Sequence, residues 1–140
     1  FDEQGDFTMA LQYSVAARTA FMAALETEAG TTPKLAIFTG AVPANCAAAD
    51  PSGELWRITL PSDWAAQATG DLTKLGTWSG NATAGAGATP VSFRLFKVDG
   101  TTCVMQGTCQ IAGGDLSCNG TITSGQLITV SGFTITAFGV

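Results

Sequence analysis

Val91-Ser92-Phe93-Arg94-Leu95-Phe96-Lys97-Val98-Asp99-Gly100-Thr101-Thr102-Cys103-Val104-Met105-Gln106-Gly107-Thr108 is the stretch on which the fold turns. Val91, Phe93 and Leu95 alternate with Ser92, Arg94 and Phe96. A period of two belongs to a strand, not a helix. Asp99-Gly100 supplies two residues suited to the backbone of a tight hairpin. The spacing therefore predicts an antiparallel pair, residues 91–96 against residues 102–108.

The same reading extends in both directions. Residues 34–39 read as a strand through Leu35, Ile37 and Phe38, and residues 54–60 alternate with Trp56, Ile58 and Leu60 on one side. Residues 71–78 make a weaker strand; residues 126–130 and 132–138 make the last two, with Phe133, Ile135 and Ala137 on one face. Gly113-Gly114 and Asn119-Gly120 mark turns, while residues 40–53 and 80–89 read as loops. Pro61-Ser62-Asp63 breaks the chain, and Ser62 or Asp63 is expected to cap one short helical turn through Ala68. About eight or nine short strands separated by turn signals predict a mostly β chain, a sandwich or barrel. A parallel sheet is not expected, because helices do not separate the strands.

The first third carries one helix. Ser14 is the expected N-cap and Gly30 the residue beyond the C-terminus. Leu11, Val15, Met22, Leu25 and Ala29 form a stripe at helical spacing, with Phe21 beside it and Arg18 interrupting it. The stripe reads first as core and second as an interface, with the Arg18 head reaching water or a partner. Of the three tryptophans, Trp56 has the alternation of a core residue. Trp64, just past a turn, is expected to be half exposed and used in contact. Together the tryptophans suit either a core or a sugar-stacking or protein-binding surface.

Composition narrows the chemistry. There is no histidine, and only 6 basic and 11 acidic residues occur among 140. Ser-His and Cys-His catalysis need a histidine, which is also the commonest metal ligand. A net charge of −5 argues against nucleic acid, whose binding rests on neutralising phosphates. Mean hydropathy is +0.27, yet no run approaches the roughly 18 apolar residues of a membrane span. The beginning of the chain is acidic, unlike a secretory leader. Residues 1–8 are expected to lie outside the domain, as a translated ribosome-binding site preceding a start at Met9 or as a flexible arm; residues 9–140 are expected to form one domain.

Local motifs add little chemistry. Glu54, Asp63, Asp71, Asp99 and Asp115 are scattered, mostly at turns, where carboxylates serve backbone geometry. Gly85-Ala86-Gly87 precedes no helix with a lysine, which a phosphate loop requires. Calcium loops need alternating Asp or Asn, and none is seen. Asn81-Ala82-Thr83 and Asn119-Gly120-Thr121 match the short glycosylation pattern, read here as coincidence. Cys46, Cys103, Cys109 and Cys118 allow three disulfide connectivities. They read first as four small buried thiols in a reducing cytoplasm. On one continuous strand Cys103 and Cys109 would share a face. No catalytic, cofactor or metal site is expected; the residues expected at a partner interface are Arg18, Phe21 and Trp64.

Leu35-Ala-Ile-Phe-Thr-Gly40, Pro43-Ala-Asn-Cys-Ala-Ala-Ala-Asp50 and Ile58-Thr-Leu-Pro-Ser-Asp-Trp64, with the opening Met9-Ala-Leu-Gln-Tyr-Ser14, resemble the cement, or decoration, proteins of short-tailed bacteriophage heads. The resemblance runs from Met9 to the C-terminus, densest from Leu35 to Trp64. It implies a jelly-roll-like antiparallel sandwich of about eight strands with one N-terminal helix. It also implies a homodimer on the outer surface of the capsid, bound to the major capsid protein and made in the host cytoplasm. It assigns no individual residue a role. Two other classes stand beside it: a receptor- or glycan-binding module of a phage tail or secreted protein, and, least favoured, a small hydrolase.

Overall fold

The computed structural model describes residues 11–118 and 120–139. The expected leader, Met9 and the turn residue Asn119 lie outside them. In chain order the elements are α1 (Val15–Ala29), β1 (Lys34–Phe38), β2 (Glu54–Thr59), β3 (Ala65–Ala68), β4 (Asp71–Lys74), β5 (Ser79–Asn81) and β6 (Ala86–Ala88). There follow β7 (Ser92–Phe96), β8 (Cys103–Gln110), β9 (Leu116–Ser117), β10 (Ile122–Thr123), β11 (Leu127–Thr129) and β12 (Thr134–Thr136). The described residues are mostly β with one helix.

The helix ends where its caps dictate. The Ser14 hydroxyl accepts the Ala17 N–H at 3.1 Å, and Gly30, at φ 77°, donates its N–H to Glu26. Both groups occupy terminal backbone positions that lack a helical partner.

The largest sheet runs β2-β1-β7-β8-β9; β12-β4-β3 is a three-stranded sheet, and β10-β6 and β11-β5 are pairs. The expected β7/β8 hairpin is present, with Leu95 opposite Met105 and Phe93 opposite Gly107. Against expectation β8 and β9 pair in parallel, over two residues. Leu35, Ile37, Phe93 and Leu95 on one face of the large sheet share a core with Leu72 and Ile128 of the smaller sheets, with Trp78, Val130 and Phe133 at their strand ends, and with Met22 and Ala29 of α1. This two-layer arrangement is that of a sandwich with one helix. The strand order does not in itself spell a jelly roll.

The opposite face of the large sheet is also buried. Ala36, Phe38 and Phe96 form a second small core with Cys103 against it. Arg94, 1% exposed, holds the long β1–β2 loop down over this face. Its guanidinium donates to Asp50 Oδ1 at 2.8 Å, Ala48 O at 3.0 Å, Asn45 O at 3.1 Å and Gln106 Oε1 at 3.1 Å. A buried charge persists only when paired and hydrogen-bonded, and Arg94 meets that condition with loop carbonyls.

Three expectations are corrected. The helical turn through Ala68 is instead strand β3, joined to β4 by a two-residue turn in which Thr69 (φ 52°) and Gly70 (φ 88°) are both left-handed, the arrangement a tight hairpin needs. The loop expected over residues 80–89 contains β6 and most of β5. Cys103 and Cys109 lie on opposite faces: the register shifts between Leu95 and Phe96, so that Phe96 meets Cys103 while Leu95 meets Met105. The extra residue, Val104, reverses the parity of everything beyond it.

Candidate functional site

The site forms where the two ends of the described chain meet. Tyr13 donates its N–H to Gly139 O at 2.9 Å, tying the segment before α1 to the segment after β12. Gly139 sits at φ 79°, and a Cβ there would overlap the Tyr13 ring. Three aromatic rings close around this contact. Phe21 and Phe138 stack with centroids 5.3 Å apart and planes 8° apart. Tyr13 stands edge-on to both, at 5.2 Å from Phe21 and 5.5 Å from Phe138.

The cluster spans from core to surface. Phe21 is half buried and packs against the main core. Phe138 is 65% exposed, and Leu11 (72%) and Val15 (50%), just before and at the start of the helix, are exposed as well. The helical stripe is therefore split: Met22 and Ala29 are core, while Leu11 and Val15 face outward. The core reading holds for Met22 and Ala29, and Leu11 and Val15 lie outside the core.

Arg18 borders the cluster. It lies over the β3–β4 turn, so close that a Cβ on Gly70 would come within 2.5 Å of its Nη1. Gly70 is itself held by Thr19, whose hydroxyl accepts its N–H at 3.0 Å, and by Ala137, which donates to Gly70 O at 2.9 Å. Arg18 Nε is buried with no hydrogen-bond partner among the described residues.

Of the three residues expected at an interface, Arg18 and Phe21 come together here. Trp64 does not: it is fully buried at 0% exposure, packs at a tilt against Trp78 with centroids 6.2 Å apart and donates its indole N–H to Gly30 O at 3.1 Å. The reason lies in the β3–β4 hairpin. Because residues 65–68 form a strand, Trp64 is drawn under the helix end, where a carbonyl needs a donor. Tyr13 and Phe138 were missed. For Phe138 a signal existed: Phe133, Ile135 and Ala137 point inward, so residue 138 points out, and an outward phenylalanine is unusual.

No protein-family model, curated protein or solved structure matches this chain.

Proposed function

We propose that this chain is a structural virion protein, a decoration protein that binds the outer surface of a tailed-phage capsid as a homodimer and clamps adjacent subunits of the major capsid protein. It is made in the bacterial cytoplasm and works without catalysis or cofactor. The observation that carries the reading is the exposed aromatic cluster: Phe138, stacked on Phe21 and edge-on to Tyr13. An exposed aromatic ring held in one orientation suits protein contact, because rigid aromatic anchors dominate binding energy. The low charge of the whole chain suits the self-complementary patch of a two-fold dimer. A clip that touches both sides of a capsid seam gains further, because one half holds the other in place.

The glycan-binding alternative loses its tryptophan platform, since Trp56, Trp64 and Trp78 are all buried. Quantitative gel staining of purified particles separates the two. A decoration protein is present in hundreds of copies per particle. A stoichiometry of a few copies overturns this reading in favour of a tail module.

A further inference from the structure

We propose that the four cysteines are two disulfide-forming pairs, Cys46 with Cys103 and Cys109 with Cys118, one on each face of the large sheet. This inference is independent of the decoration reading.

Four cysteines allow three connectivities, and the fold selects one. The sulfurs of Cys46 and Cys103 are 2.7 Å apart, and those of Cys109 and Cys118 are 2.8 Å apart. Cross-pairing is blocked by the bulge in β8, which sends Cys103 to the small core and Cys109 to the main one. Sequence separation played no part in bringing the first pair together, since its members lie 57 residues apart.

Each pair is held by its backbone. Asn45 Oδ1 accepts the N–H groups of Ala47 and Ala48 at 2.9 and 3.1 Å. The carbonyls of Asn45 and Ala48 are in turn gripped by Arg94. Cys46 is thus fixed in a loop that Arg94 and the Gln106–Pro43 hydrogen bond of 2.7 Å press onto β8. On the other side, Cys109 pairs with Leu116, and Cys118 donates its N–H to Gln110 O at 2.9 Å.

The two pairs differ in access. Cys46 and Cys103 are half buried and line an open cavity of about 580 Å³ with Arg94, Asp50 and Thr102. A small oxidant such as oxidised glutathione reaches them in the folded protein. Burial, then the neighbouring Cys46 thiol, push the Cys103 thiol up to about 12. Cys103 also packs against the small core, whereas Cys46 lies on the covering β1–β2 loop, so Cys46 is the thiol that an oxidant meets first. The Cys46 thiolate attacks one sulfur of glutathione disulfide and expels one glutathione thiolate. Cys103, giving up its proton, then attacks the Cys46 sulfur of the mixed disulfide and expels the second glutathione. The protein loses two electrons and two protons; the glutathione disulfide becomes two glutathione thiols. Cys109 and Cys118 are buried, so they pair by the same exchange during folding, before the core closes.

The test uses the full chain. Protein prepared under reducing conditions is incubated folded with oxidised glutathione, and a second sample is refolded from denaturant with reduced and oxidised glutathione. Free thiols are alkylated after denaturation, and the chains are cleaved after Met105 and before Asp115, which places Cys103, Cys109 and Cys118 on separate peptides. The folded sample is expected to yield the Cys46–Cys103 linkage with Cys109 and Cys118 alkylated. The refolded sample is expected to yield both linkages and to melt several degrees higher than its reduced form. Cys46→Ser is expected to keep the Cys109–Cys118 linkage on refolding. Linkage of Cys103 to Cys109 or of Cys46 to Cys118, or four alkylated thiols in both samples, overturns the proposal.

Discussion

Phe21 of α1 and Phe138 of the C-terminal segment lie face to face, 5.3 Å apart and 8° from parallel. One ring is anchored in the core and the other is mostly in solvent. An exposed phenylalanine that is held in one orientation loses little freedom on binding, which is the economy of a preorganised contact. The Tyr13–Gly139 hydrogen bond of 2.9 Å behind it fixes the same geometry from the backbone.

Phe138→Ala is expected to leave the melting temperature nearly unchanged, because the ring is 65% exposed. Binding to capsids is expected to weaken by about 2 kcal/mol, about thirty-fold in Kd, as for an interface hot spot. Thermal melts and cosedimentation with stripped particles measure the two separately. Full retention of binding would remove the cluster from the interface.

Trp56→Ala and Phe93→Ala are expected to destabilise by about 3–5 kcal/mol each, the range for a buried aromatic. Trp56 additionally loses its indole hydrogen bond to Gly80 O, 2.8 Å long. Denaturant unfolding of the two variants gives the numbers, and small shifts in both would contradict the core described above.

Arg94→Met is expected to destabilise by about 2–3 kcal/mol, since the loop carbonyls of Asn45 and Ala48 lose a charged donor. The loss is expected to be local first. Hydrogen exchange at residues 41–50 should accelerate while β7 and β8 stay protected. Uniform acceleration across the large sheet would contradict the clamp role.

Thr69→Asn is expected to stabilise the protein by about 1 kcal/mol. Thr69 is β-branched and held at φ 52°, a conformation that Asn adopts with less strain. A lower melting temperature for the variant would contradict the assignment of strain to this turn.

Asp99 carries the hairpin loop. The Thr102 hydroxyl, then the N–H groups of Thr102 and Thr101, hold its carboxylate well below the ordinary carboxylate range. A depressed folded-state pKa contributes stability above the unfolded value of about 3.9, and this contribution is lost as pH falls toward the folded value. The Asp99 carboxyl carbon is expected to keep its ionised chemical shift down to about pH 3. Thr102→Val should raise its titration midpoint. A wild-type midpoint near about pH 4 would contradict the loop geometry.

Much of this architecture was legible in the residues. The 91–108 hairpin announced itself through alternation and Asp99-Gly100, and α1 through Ser14 and Gly30. Three features were not legible. The β3–β4 hairpin turns on Thr69-Gly70, which lacks the usual Asn or Asp and so reads as no turn at all. Strands β5 and β6 are built from Ser, Gly, Asn and Ala, residues without strand preference, and they form because Ile128 and Ile122 beside them are core. The bulge at Val104 leaves no mark in the sequence, yet it decides which face each cysteine occupies. At the candidate site, Arg18 and Phe21 were readable as the flank of a helical stripe. Tyr13 joined them only through a contact between residues more than a hundred positions apart.

Adhesion, as a brace that holds a shell together, is the function proposed above. The most direct measurement is the survival of purified particles under heat and osmotic shock, with the protein present, stripped away and added back. The account predicts that stripped shells rupture under milder conditions and that re-addition of the wild type, but not of Phe138→Ala, restores them. Equal survival of stripped and decorated shells would contradict it.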